Sequence, residues 1–109
     1  MIYLASPYTH PDQDVMDKRY DQVAGYCATY AEQHLVIYSP IAHWHPIAKQ
    51  FKLPREAQYW RFHNREMIQL CRELWVLGLA GWKISVGIEE DRQFAKVYHK
   101  EVKIIHVSR

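Results

Sequence analysis

With 109 residues, 49% of them hydrophobic and 24% charged, the chain reads as one globular domain spanning 1–109, with a single core and no excess of charge that would argue for disorder. A formal net charge of +2, carried by Lys and Arg scattered along the chain, gives no basic run for a nucleic-acid polymer to follow. No apolar stretch approaches membrane-spanning length, and MIYLASPY carries no basic region ahead of an apolar segment. No membrane partner and no export are therefore expected, and a cytoplasmic setting is.

Met1–Ala5 is a short apolar run closed by Ser6 and Pro7, the pattern of a buried strand ending in a turn. The loop that follows, SPYTHPDQD, places Ser6, Tyr8, Thr9 and His10 where open α/β sheets keep their ligands. From Asp14 to Gln33, apolar residues at Met16, Tyr20, Val23, Ala24, Cys27 and Ala31 form a helical stripe, with Asp14 as a cap near its start. Arg19 stands at the edge of that stripe, able to reach back toward the first loop or to lay its stem along the core. Leu35–Tyr38 repeats the opening pattern, an apolar run closed by Ser39 and Pro40. Two such strands with a helix between them make a β-α-β unit with parallel strands.

The segment IAHWHPIAKQFKLP then reads as a histidine-aromatic loop at a strand end. His43 and His45 flank Trp44, suited to hydrogen bonding and stacking on a planar ligand. Two histidines without a third ligand at recognisable spacing do not make a metal site, and neither metal nor cofactor is expected. Pro54–Cys71 is helical by periodicity, with Ala57, Trp60, Met67, Ile68 and Cys71 on one face and Asn64 set into the middle of it. Leu74–Leu79 is a further strand, Gly87–His99 a further helix and Val102–Val107 a last strand. Cys27 and Cys71, far apart and beside apolar neighbours, read as buried thiols.

The stretch GWKISVGIEEDRQFA, residues 81–95, joins a glycine-punctuated turn to a charged helix. With that helix starting near Val86, Ile88, Asp91, Ala95 and Tyr98 share one inward face, whereas Glu89 and Glu90 point elsewhere and complement the helix dipole. A carboxylate on the inward face needs a partner or serves chemistry. Strand and helix alternate throughout, which predicts a three-layer α/β/α sandwich with a four- to five-stranded, largely parallel sheet. Loops 6–10, 39–45 and 80–87 are then expected along one rim. Eight tyrosines, four tryptophans and seven histidines exceed what a small core holds, so some are expected to line a cleft or to cover an interface in a homo-oligomer.

Taken in order, IYLASPYT, SPIAHWHPIA, NREMIQLC and GWKISVGIEEDRQFA resemble the nucleoside 2-deoxyribosyltransferase-like superfamily, which includes the deoxyribosyltransferases and the 2'-deoxynucleoside 5'-phosphate N-hydrolases. The last segment is similar to that family's Ser-x-Gly turn and to a helix with the catalytic glutamate four residues before an alanine. The resemblance implies cleavage or transfer at the N-glycosidic bond of a small-molecule nucleoside or nucleotide through a carboxylate nucleophile. Counting back from Ala95 carries the nucleophile onto Asp91. By the same resemblance Tyr8 and Asn64 orient sugar and nucleophile, and Ser6, Arg19, Ser85 and Gly87 hold a hydroxyl or 5'-phosphate, the last two at a helix start. Aspartate stands at position 91 where the family has glutamate, and Asn64 where it has aspartate. A family member that has drifted to binding or sensing a nucleotide without cleaving it is the alternative.

Overall fold

In a computed structural model, which describes residues 1–107, four strands and four helices follow along the chain, alternating except where two helices stand in succession between the second and third strands. They are β1 (Ile2–Ala5), α1 (Gln13–Glu32), β2 (Ile37–Tyr38), α2 (Pro40–Phe51), α3 (Ala57–Leu70), β3 (Glu73–Gly78), α4 (Val86–Val97) and β4 (Glu101–His106), with a single 3-10 turn at Trp82–Ile84 ahead of α4. The sheet order is β2-β1-β3-β4 and every pairing is parallel. Among the described residues no helix is long and apolar enough to cross a membrane.

Parallel strands need both faces covered, and β1 is buried along its whole length. Its side chains alternate between two cores. Tyr3 and Ala5 pack with Leu74, Val76, Ile68, Ile88 and Ala95 on the side of α3 and α4, whereas Leu4 packs with Leu77, Val23 and Ile41 on the side of α1 and α2. The three layers predicted from the alternation of elements are present. Each fully buried large side chain in them contributes about 1.5–3 kcal/mol by leaving water.

The chain leaves β1 toward one edge, through α1 to β2, and leaves β3 toward the other, through α4 to β4. The carboxyl ends of β1 and β3 therefore diverge at a topological switch point, where an open α/β sheet forms its crevice.

Several local expectations are corrected. The segment expected as a histidine-aromatic loop is the helix α2. Pro40 takes the first helical position, where its missing N–H costs nothing, and the Ser39 hydroxyl accepts from Ala42 N at 3.1 Å. Pro46 sits inside the helix on an exposed position, and its helix-breaking signal is overridden by a buried stripe of Ile41, His45 and Ala48. Only Ile37 and Tyr38 of the second apolar run pair as strand. Helix α1 is capped by Asp12, whose carboxylate accepts from Asp14 N, and not by Asp14. α3 begins at Ala57 rather than Pro54. Cys71 is buried as expected, but Cys27 is only half-buried.

Gly81 joins the two rims of the crevice. Its φ of +91° lies in the left-handed region, and a Cβ placed there would stand 3.0 Å from the Arg19 guanidinium. Arg19 Nη1 in turn donates to the carbonyls of Tyr8 and Thr9 at 3.2 Å, tying the β1 loop down. The substitution Gly81→Ala is expected to lower stability by about 1–2 kcal/mol from backbone strain and displacement of Arg19, read as a shift of the urea midpoint at unchanged slope.

Candidate functional site

A cleft of about 760 Å³ occupies the switch point. Its floor comes from the first loop and from α4, its walls from α2 and α3. Of the residues singled out by sequence, Ser6, Tyr8, Arg19, His45, Asn64, Ser85, Gly87 and Asp91 all line it. His43 does not. Two residues' step along α2, about 200° of turn, carries it to an exposed position, where its ring lies edge-on to Trp44, whereas His45 is buried.

Asp91 sits on the buried stripe of α4 with Ile88 and Ala95 and is 6% exposed. Its Oδ2 accepts a hydrogen bond from the Tyr3 hydroxyl at 3.2 Å, reaching from α4 to the middle of the sheet. Burial pushes the carboxyl pKa up from 3.8 to about 8. The Tyr3 hydrogen bond works in the opposite direction and neighbouring Glu90 adds to the rise. Near neutral pH this carboxyl is held mainly protonated. Tyr3 is driven well above its ordinary pKa by burial and by Asp91, so it remains a hydroxyl donor.

Among the described residues, two buried acceptors in the cleft have no protein partner: Ser6 Oγ, at the end of β1, and Asn64 Oδ1, on α3. Buried polar atoms are ordinarily paired, so these present hydrogen-bonding capacity to whatever enters. At the start of α4 the Ser85 hydroxyl is occupied as the cap, accepting from Ile88 N at 3.3 Å. The N–H groups of Val86 and Gly87, in the first turn, have no carbonyl four residues back to receive them and border the same space, with the positive end of the helix dipole behind them. Arg19 reaches back to the first loop, but to hold its carbonyls.

Residues that sequence reasoning did not assign to the site complete it. Trp60, read as part of a core stripe, is half-buried and lines the cleft, its ring 5.1 Å from that of Trp44. Arg61 makes a bidentate pair with Glu90, at 2.8 and 3.2 Å, joining α3 to α4 at the rim. Arg55 lines the opening and donates to Gln13 Oε1. Arg55 and Arg61 carried no periodic signal because they are exposed. Among the described residues no group of three or more His, Cys, Asp or Glu side chains converges on a point where a metal ion could be held.

Chemically, the cleft offers a buried carboxyl, unpaired neutral hydrogen-bonding groups, donors from a helix start, indole rings and guanidinium groups. The chain belongs to the family described as a domain of unknown function (DUF1937), whose model matches residues 1–107. No curated protein matches it.

The raised pKa of Asp91 has a stability consequence. The unfolded chain releases this proton near 3.8 and the folded chain near 8, so between those values the folded state carries the extra proton and stability falls as pH rises. Asp91→Asn removes that penalty while leaving an acceptor for Tyr3. The variant is expected to exceed the native chain in stability by on the order of a few kcal/mol at and above pH 8, converging with it below pH 4, in denaturant titrations across that range.

Proposed function

We propose that this DUF1937 protein cleaves or transfers the N-glycosidic bond of a deoxynucleoside or its 5'-monophosphate, with Asp91 as nucleophile. The observation that carries the reading is a carboxyl buried at the floor of the switch-point cleft, on the helix position to which the resemblance had also led. In the ionised form its oxygen bonds to the anomeric carbon while the carbon–nitrogen bond breaks and its electron pair leaves with the base. Water or a second base then resolves the ester. Tyr8 and Asn64 orient the sugar, Ser6 takes a hydroxyl, and the N–H groups at the start of α4 face a 5'-hydroxyl or phosphate. The indoles of Trp44 and Trp60 suit a planar base.

A second reading is favoured by the protonated state of Asp91 and by Asn64, which cannot exchange a proton: a nucleotide held without being cleaved. Calorimetry separates the two, since tight binding of an intact nucleotide with no turnover on long incubation supports the second alone.

The exposed residues Tyr59, Phe62 and Leu70 follow one another along the outer side of α3, and we infer that they join copies of the chain in a homo-oligomer. The free thiols Cys27 and Cys71 suit a reducing, cytoplasmic setting.

The native chain is expected to release free base from a panel of deoxynucleosides and their monophosphates, and Asp91→Ala is not. kcat/KM should climb with pH toward a plateau above about 8, the limb on which Asp91 ionises. No release above the Asp91→Ala control overturns the enzymatic reading. Sedimentation at micromolar concentration is expected to show a species heavier than a monomer; a monomer overturns the assembly.

A further inference from the structure

His45 connects parts of the chain that are distant in sequence. Buried at 5% exposure, its ring has Nε2 3.0 Å from Asp17 Oδ1 on α1 and Nδ1 2.7 Å from the Tyr8 hydroxyl at the cleft. The Tyr20 ring stacks on it at 4.6 Å, fixing its plane. Asp17 is held in turn by Lys49 Nζ at 2.9 Å and by Gln13 Nε2 at 3.0 Å.

These contacts determine where the hydrogens lie. A carboxylate meets a ring nitrogen favourably only through an N–H, so the neutral ring carries its hydrogen on Nε2. Nδ1 is then an acceptor, and the Tyr8 O–H donates to it. The phenol oxygen keeps its lone pairs for the cleft. The charged and titratable groups around the ring are Asp17, Tyr20 and Asp21 from α1, Lys49 on α2 and Tyr8 from the first loop, with Arg55 beside Tyr8.

We propose that Asp17, His45 and Tyr8 form a proton relay in which Tyr8 is the acid–base group of the cleft, with His45 and Asp17 positioning residues that act through it. The relay rests on the glycosidic reading above and specifies how its second half-reaction proceeds. As the oxygen of water bonds to the anomeric carbon, the bond from that carbon to the Asp91 oxygen breaks and its electron pair returns to the carboxylate. The proton of that water passes to Tyr8 Oη, the phenol proton passes to His45 Nδ1, and the imidazolium is paired with Asp17. The imidazolium then returns its proton, through Tyr8, to the base anion formed in the first half-reaction. Burial lowers the pKa of His45 against the pull of Asp17, which keeps the ring free to accept.

The test uses Asp17→Asn. Lys49 Nζ can only donate, so it holds the amide oxygen at the Oδ2 position and turns the amide nitrogen toward Nε2, with Gln13 Nε2 giving up its acceptor; this favours the ring hydrogen on Nδ1 and reverses the hydrogen bond to Tyr8 without removing a side chain. Nitrogen-15 NMR of the histidine ring is expected to show hydrogen on Nε2 in the native chain and on Nδ1 in the variant, in spectra whose dispersion also reports that the variant is folded. With the deoxynucleotide that the native chain cleaves, Asp17→Asn and His45→Gln are expected to lose on the order of a hundredfold in kcat with little change in KM. Hydrogen on Nδ1 in the native chain overturns the relay whatever the substrate. Base release by Asp17→Asn at the native kcat overturns the relay and leaves the glycosidic reading standing. No base release from the native chain overturns that reading and the relay's part in it.

Discussion

A carboxyl taken out of water and left with a hydroxyl for a partner governs this molecule. Asp91 can occupy the buried stripe of α4 only because the Tyr3 hydroxyl reaches it from the central strand and because it keeps its proton. A neutral hydrogen-bonded acid costs far less to bury than a carboxylate. The same contact fixes α4 against β1, and with it the position of the helix start that borders the cleft. Core and site thus share one hydrogen bond, and the stability given up at this position is confined to the range of pH in which the acid would otherwise ionise.

The cleft itself follows from topology. The chain departs in opposite directions from β1 and β3, so their loops separate, and the helices that return over the sheet close the walls. What distinguishes the two rims is how they are held. The Arg19 guanidinium bonds the first loop and stands against Gly81 of the third, so those loops keep their spacing through one side chain. The opposite wall depends on the Arg61–Glu90 pair between α3 and α4 and on the hydrogen bond from Arg55 to Gln13, both near solvent, where ion pairs and polar contacts contribute little.

Much of this was legible in the sequence wherever a period meets a polar residue. Ile88, Asp91 and Ala95 lie on one helical face by spacing alone, and all are buried. Asn64 was likewise marked by its place among apolar neighbours, and its Oδ1 is buried and unpaired. Strand alternation led to the parallel sheet and the layering. Two kinds of feature escaped. Helix α2 was hidden because Pro40 and Pro46 both read as local breakers: Pro40 opens the helix at no cost, and tertiary burial of Ile41, His45 and Ala48 outweighs Pro46. The pairing of His45 with Asp17 and Tyr8 was hidden because each contact joins residues on different elements, with no sequence interval that marks it. His43, equal to His45 on paper, differs from it only by the turn of a helix that the prolines concealed.

The buried acid also makes occupancy of the cleft a matter of proton exchange. A ligand that requires Asp91 as a carboxylate must displace one proton into solvent, since the unoccupied acid holds it up to about pH 8. Its apparent affinity then weakens about tenfold for each unit of pH below that value. Heat released on binding would likewise vary with the ionisation enthalpy of the buffer that takes up the proton. A ligand satisfied by the neutral acid draws on no such exchange, so two molecules of equal shape can be sorted by the acidity of their surroundings.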